Sequence, residues 1–294
     1  MEIPRKMLRH YLDATTRVTR AAQTGLHQIT NSKSRTRTAN SGSTSSDGDP
    51  HAGPDGLGYV ERTLAGAEYF KHITSVESDR RTRAAFQDLV LRIVRPGAAL
   101  FDFGAGAGID ARFFAERGFT VEAYDIDPRM RDFFAEYCRD LLETGCITLN
   151  SSDYREFVNL GPPLSTRRSD LVICNFAPLN LIGDLQELFA RFAALTSPDG
   201  RVLASVLNPY FIGDLKLRWW WRSAPRLWRR GHFFMPGPQA PHHRRRVANF
   251  AAVSAPHFRL ARVFPGVRSN SSLGARLQFL SCRYLFLLFE KTGS

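Results

Sequence analysis

A short apolar run, Ala98 to Phe103, breaks into glycines at 104, 106 and 108 and passes at once into a helical pattern. Glycines in such a place let the backbone turn tightly and approach a ligand where a Cβ would collide. Pro96-Gly97 stops the helical spacing of Ala84 to Val94 just before the run, so the local order is helix, turn, strand, glycine loop, helix. The rhythm continues downstream. Helical patterns over Asp110 to Arg117, Pro128 to Thr144 and Asp184 to Leu195 are interleaved with short apolar runs. These runs are Thr120 to Tyr124, Cys146 to Asn150, Asp170 to Asn175 and Arg201 to Leu207. Buried strands separated by helices predict an α/β fold with a doubly wound, mostly parallel sheet, helices on both faces and right-handed crossovers. In that architecture ligands bind outside the carboxyl ends of the strands, where the glycine loop sits.

Acidic residues mark the strand ends. Asp102 precedes the loop, Asp125 ends the second strand 21 residues beyond Gly104, Asp153 follows the third strand, and Asp170 opens the fourth. A carboxylate at the Asp125 position can accept both hydroxyls of a ribose. Each acid taken alone reads equally well as a helix cap or a solvated turn.

Together, Asp102-Phe103-Gly104-Ala105-Gly106-Ala107-Gly108, Asp125-Ile126-Asp127-Pro128 and Leu195-Thr196-Ser197-Pro198-Asp199-Gly200 resemble the class I S-adenosylmethionine-dependent methyltransferase family, over about Leu57 to the C-terminus. The resemblance implies a Rossmann-like seven-stranded sheet whose last strand, over Leu277 to Phe289, is antiparallel. It also implies an enzyme that binds S-adenosylmethionine. Gly104, Gly106 and Gly108 would surround the methionine part, Asp102 would support the loop or the amino group, and Asp125 with Ile126 would hold the ribose side. Asp153 and Tyr154 would meet the adenine, while Asn175 and Phe176 would line the methyl-transfer cleft. A nicotinamide enzyme is the competing reading, but Ile109 stands where that fingerprint wants a third small residue. After the fourth strand the chain reads Asn175-Phe176-Ala177-Pro178 rather than the Asn-Pro-Pro-Tyr type of the family's nucleic-acid enzymes. That favours a small lipophilic or aromatic acceptor, with oxygen ahead of carbon as the atom methylated. An RNA methyltransferase and a non-catalytic cofactor-binding regulator are the alternatives.

Charge and composition divide the chain. Residues 1–57 read as a disordered basic tail, since 31–56 are almost devoid of large apolar side chains. An organellar targeting segment is a second reading of that start, and Leu8 to Leu26 could form a short helix. Residues 58–294 read as the methyltransferase domain, interrupted at 209–246 by a basic aromatic insertion. The net charge is +12, and residues 211–246 alone hold nine basic side chains against one acidic. Trp219, Trp220, Trp221 and Trp228 interleave with arginines there, which suits an aromatic lid over the cleft or an amphipathic helix packed on the core. His232 within this segment is the expected base. An acceptor delivered by an acidic carrier protein would account for the basic C-terminal region, and membrane-surface contact is also compatible. Four scattered cysteines without a C-x-x-C pair read as reduced thiols of a cytoplasmic protein with no metal site.

Overall fold

The computed structural model describes residues 64–159, 168–235, 242–266 and 279–293. The tail and its Leu8 to Leu26 segment lie outside them. Helices α1 (Gly66–Ser75) and α2 (Glu77–Ile93) lead into β1 (Ala99–Phe103), followed by α3 (Ile109–Ala115) and β2 (Thr120–Tyr124). Next come α4 (Pro128–Tyr137), α5 (Arg139–Glu143), β3 (Ile147–Asn150), α6 (Tyr154–Asn159) and β4 (Ser169–Cys174). Beyond a 3₁₀ turn at Pro178–Asn180 lie α7 (Gln186–Leu195) and β5 (Thr196–Leu207). A second 3₁₀ turn, Ile212–Lys216, opens the segment holding α8 (Arg218–Arg230), β6 (His232–Met235) and β7 (His242–Arg245). The chain closes with α9 (Val247–Ser254), β8 (Phe258–Pro265) and β9 (Tyr284–Lys291).

Seven strands form one sheet in the order β3-β2-β1-β4-β5-β9-β8. The first five run parallel, and β9 pairs antiparallel with both β5 and β8. This is the doubly wound, mostly parallel sheet expected, with the reversed strand at β9. Strand alternation sends Phe101 and Phe103 into a core cluster on one face, with Phe157, Phe189 and Phe192, and Leu100 into the cluster on the other, with Phe86 and Phe114. Asp102 shares the parity of Leu100 and so joins the α2–α3 side of the sheet.

Several boundaries differ from the sequence expectation. Helix α1 was not foreseen, although Phe70 packs its ring 5.5 Å from Phe133 and 5.1 Å from Tyr137 of α4. The single helix expected over Pro128 to Thr144 breaks at Cys138, whose buried thiol contacts the Gly108 carbonyl oxygen at 3.7 Å. The closing strand starts at Tyr284 rather than Leu277.

The insertion after β5 carries its own satellite core. Trp220, Ala224 and Leu227 of α8 are buried, and Trp220 packs with Tyr210 and Leu280 while Trp219, Trp221 and Trp228 close around them. Two arginines that looked like surface charge are buried fasteners. Arg245 donates to the carbonyl oxygens of Leu179, Ile182 and Gly183 at 3.1, 2.6 and 2.7 Å. Arg244 donates to Asn208 O at 2.9 Å and pairs with Asp214 at 3.1 Å. The insertion is therefore tied to the turn that follows β4.

Candidate functional site

The glycine loop is held by the end of the neighbouring strand. Gly104 and Ala105 donate their amides to Tyr124 O at 2.8 and 3.0 Å. Asp125 Oδ2 accepts the Gly106 amide at 2.7 Å, and its Oδ1 accepts the Asp127 amide at 2.9 Å. The loop glycines have φ values of +73, +56 and +82°, a region costly for any side chain. A Cβ at Gly104 would lie 2.6 Å from Pro178 Cβ, and one at Gly108 would lie 2.8 Å from Phe134 Cδ2 and Cys138 Sγ. Gly108 thus serves helix packing below the loop, whereas Gly104 and Gly106 line the cleft above it.

Asp102, 2% exposed, sits beneath the loop with no hydrogen-bond partner for its Oδ2 among the described residues. Burial pushes its carboxyl well above the usual carboxylate range, and the nearby Asp110 and Asp125 charges push the same way. Beside it, buried Asp110 accepts from Gln87 at 2.7 Å and Asn175 at 3.0 Å and is paired with Arg83. Asn175 Oδ1 in turn accepts the Phe176 amide at 2.9 Å, and Ala177 donates to Ser205 Oγ at 3.3 Å. These bonds hold two consecutive non-glycine residues, Phe176 and Ala177, at φ +61 and +64°. Strain of this kind persists where the surroundings over-determine it, and here it sets the Phe176 ring 4.6 Å below the Arg83 guanidinium.

Two cavities meet at that ring. The smaller, about 50 Å³, lies over the loop between Gly104, Gly106, Asp125, Ile126 and Asn175. Tyr69 and Met130 close over it, since a Cβ on Gly106 would stand 3.6 Å from Tyr69 Cε1 and 3.3 Å from Met130 Cε. The larger, about 570 Å³, is walled by His72, Asn180, His242, Arg244 and Tyr284. Tyr69, Phe176 and Leu181 line both. Arg244 donates its Nε–H to His242 Nε2 at 3.0 Å, with that ring nitrogen as the acceptor.

Of the residues singled out from sequence, Gly104, Gly106, Asp125, Ile126, Asn175 and Phe176 come together around the small cavity, with Asp102 below. Asp153 and Tyr154 line neither cavity. The Asp153 carboxylate accepts the Glu156 amide at 2.8 Å while its own amide donates to Glu156 at 3.2 Å, a capping box opening α6, and Tyr154 is buried in the core. His232 is exposed on β6, its ring beside Arg230 O, and lines neither cavity. Trp219, Trp220 and Trp221 are likewise absent from both walls, and the insertion reaches the larger cavity through His242 and Arg244 instead. Tyr69 is not singled out by the sequence, and His72 and His242 stand there only among five histidines available as a base, behind His232. The spacing of Tyr69, Phe70 and Ile73 was the available helical signal for the first two, and nothing in the sequence marked His242.

The donor set fits S-adenosylmethionine. The Asp125 carboxylate lines the cleft at the end of β2, where a ribose diol needs an acceptor, and the orphaned Asp102 oxygen sits under a loop that would receive an ammonium-bearing chain. A model of the methyltransferase domain matches residues 77–255. Among solved structures, 1,6-didemethyltoxoflavin-N1-methyltransferase from Burkholderia thailandensis superposes with a TM-score of 0.50 at 20% identity, over 80% of this chain and 95% of that one. A Listeria monocytogenes protein described as an S-adenosylmethionine dependent methyltransferase superposes with a TM-score of 0.53 at 14% identity, over 72% and 99% respectively. No curated protein matches significantly in sequence. Among the described residues no helix is long and apolar enough to cross a membrane.

Proposed function

The chain belongs to the methyltransferase-domain family of S-adenosylmethionine-dependent enzymes, and on that premise we propose that it methylates a small, largely apolar or aromatic molecule on oxygen. The observation that carries this reading is the second cavity. At about 570 Å³ it falls within the range of roughly 300–1,000 Å³ typical of small-molecule sites, and it meets the cofactor cleft at Tyr69, Phe176 and Leu181.

S-adenosylmethionine supplies an electrophilic methyl group on a sulfonium. The chain's own residues bind, orient and exclude water. Asp125 would accept the ribose hydroxyls while its hold on Gly106 keeps the loop in shape. Asp102 would receive the ammonium group. The strained Phe176, with Tyr69 and Leu181, would form the dry passage through which the acceptor approaches in line. An oxygen nucleophile must also lose its proton. His72 lines the acceptor cavity, as His232 does not, so it is the base we assign in preference to His232. His242, fixed by Arg244, lines the same cavity.

Methyl-labelled S-adenosylmethionine, incubated with the protein and with separated small-molecule and RNA fractions of a cell extract, tests the reading. Label is expected in the small-molecule fraction. Label in RNA alone would overturn the small acceptor, and no calorimetric binding of S-adenosylmethionine would overturn the donor. His72→Gln should lower turnover roughly a hundredfold, with His232→Gln unchanged. The reverse result would return the base to β6.

A further inference from the structure

The outer face of α8 takes no part in either cavity, in the sheet, or in any ion pair among the described residues. At 3.6 residues per turn, Arg218, Arg222, Arg226 and Arg229 fall within roughly 80° of arc. Exposed Arg230 extends the stripe by about 40° at the end of the helix, and exposed Lys216 lies in the 3₁₀ turn before it. Trp220, Ala224 and Leu227 occupy the opposite side and are buried. Residues 215–230 contain no acidic side chain, and Asp214, just before them, is buried against Arg244. Arg218, Arg222, Arg226 and Arg230 stand four apart in succession, a spacing at which like charges repel. The stripe is unfavourable in isolation and favourable only against a negative surface. Ile212, which opens the 3₁₀ turn before α8, and Leu217, which caps the helix, are 50% and 41% exposed, two of the few large aliphatic side chains left in water.

We propose that this face docks the enzyme on an anionic lipid surface, with the arginines among the headgroups and Ile212 and Leu217 beneath them. Charge complementarity allows a nucleic acid, an acidic protein or an anionic lipid surface, and the other observations favour lipid. A single-stranded nucleic acid would need aromatic rings exposed for stacking, but Trp220 is buried in the satellite core and Trp219, Trp221 and Trp228 are half-buried against it. Flanking aliphatic side chains add nothing toward phosphates and find a natural place below lipid headgroups. The face also backs on the acceptor cavity, because the Trp219 ring of α8 lies 5.8 Å from the guanidinium carbon of Arg244, which lines that cavity.

Vesicle flotation of the full chain decides the matter. The protein is expected to float with phosphatidylcholine vesicles containing phosphatidylglycerol, to stay down with phosphatidylcholine alone, and to detach as salt is raised. Arg222→Glu, Arg226→Glu and Arg229→Glu combined should reduce binding at least tenfold while S-adenosylhomocysteine affinity is unchanged, since all three are exposed and outside the cofactor site. Ile212→Ser with Leu217→Ser should weaken binding several-fold without altering its salt dependence. Three results would overturn the proposal: no flotation of the wild type with anionic vesicles, flotation unaffected by the arginine reversals, or flotation indifferent to the two serines. Arginine-dependent binding to polyuridylate without flotation would assign the face to nucleic acid instead. Should the charge-reversed protein fail to fold, the serine pair and the salt titration of the wild type still decide.

Discussion

Asp125 Oδ2 accepts the Gly106 amide at 2.7 Å, so the carboxylate at the end of β2 holds the middle glycine of the loop at the end of β1. One side chain therefore shapes the loop and presents an acceptor to whatever lies over it. Asp125→Ala orphans the Gly106 and Asp127 amides and leaves the ribose hydroxyls unmatched. It should weaken S-adenosylhomocysteine binding by about 1–3 kcal/mol and lower folding stability by a smaller amount. Asp125→Asn, which keeps one acceptor oxygen, should lose less. Isothermal titration of the three proteins checks this, and equal affinities would remove Asp125 from the cofactor site.

The three loop glycines should separate into two kinds. A methyl group at Gly108 would press on Phe134 and Cys138 in the packed layer under the loop, at 2.8 Å from each, and φ there is +82°. Gly108→Ala should cost about 1–3 kcal/mol of folding stability from overpacking, with further strain from the left-handed backbone. At Gly106 the nearest atom is the mobile end of Met130, 3.3 Å away. Gly106→Ala should therefore lose less stability and more cofactor affinity, because its methyl group enters the cleft itself. Urea unfolding and cofactor titration on both variants test the contrast, and identical profiles would contradict it.

The alternation of strands and helices and half of the site were legible for a common reason. Short apolar runs between helical patterns report burial directly, and glycines forced to positive φ leave a local mark at 104, 106 and 108. What the sequence concealed depends on where a side chain ends up in space. Asp153 follows its strand in the same manner as Asp125, yet it caps α6, and no local pattern separates a capping carboxylate from a ligand-binding one. Arg244 and Arg245 read as part of a basic surface, but carbonyl groups 36 to 66 residues away in the chain receive them. The tryptophans of α8 showed helical spacing, and only the position of Tyr210 and Leu280 reveals that they have a small core of their own to fill.

That core makes Trp220 a stability residue. Trp220 is 3% exposed and packs on Tyr210, Ala224 and Leu280, so Trp220→Ala should cost about 3–5 kcal/mol, as large aromatic truncations in cores do. Arg222→Ala on the opposite face of the helix should change stability by no more than about 0.5 kcal/mol. Chemical denaturation gives both values. A Trp220→Ala protein as stable as the wild type would show that the satellite core does not form in solution, and the tryptophans would then return as candidates to cover the cleft.

Asp102 should make the cofactor-free protein lose stability as the pH rises. Burial first, then the neighbouring Asp110 and Asp125 charges, raise its folded-state value well above 3.8, while Arg83 opposes them. The native state consequently keeps a proton that the unfolded chain has already released, and stability falls with pH wherever the native state binds more protons. The contribution of the protonated carboxyl is complete below about pH 3.8 and is lost as the pH climbs through the folded-state value. Asp102→Asn cannot ionise, so the variant should gain on the wild type across that interval and match it most closely at the acid end. Cofactor binding should run the other way. If the ammonium group of S-adenosylhomocysteine is held by the ionised Asp102, binding must release a proton at pH values where the free protein still holds one. The heat of binding in the wild type should then depend on the buffer's ionisation enthalpy, and Asp102→Asn should bind more weakly with no such dependence. A wild-type binding heat independent of buffer, together with an unchanged affinity in Asp102→Asn, would leave Asp102 as a support for the loop and remove it from contact with the cofactor.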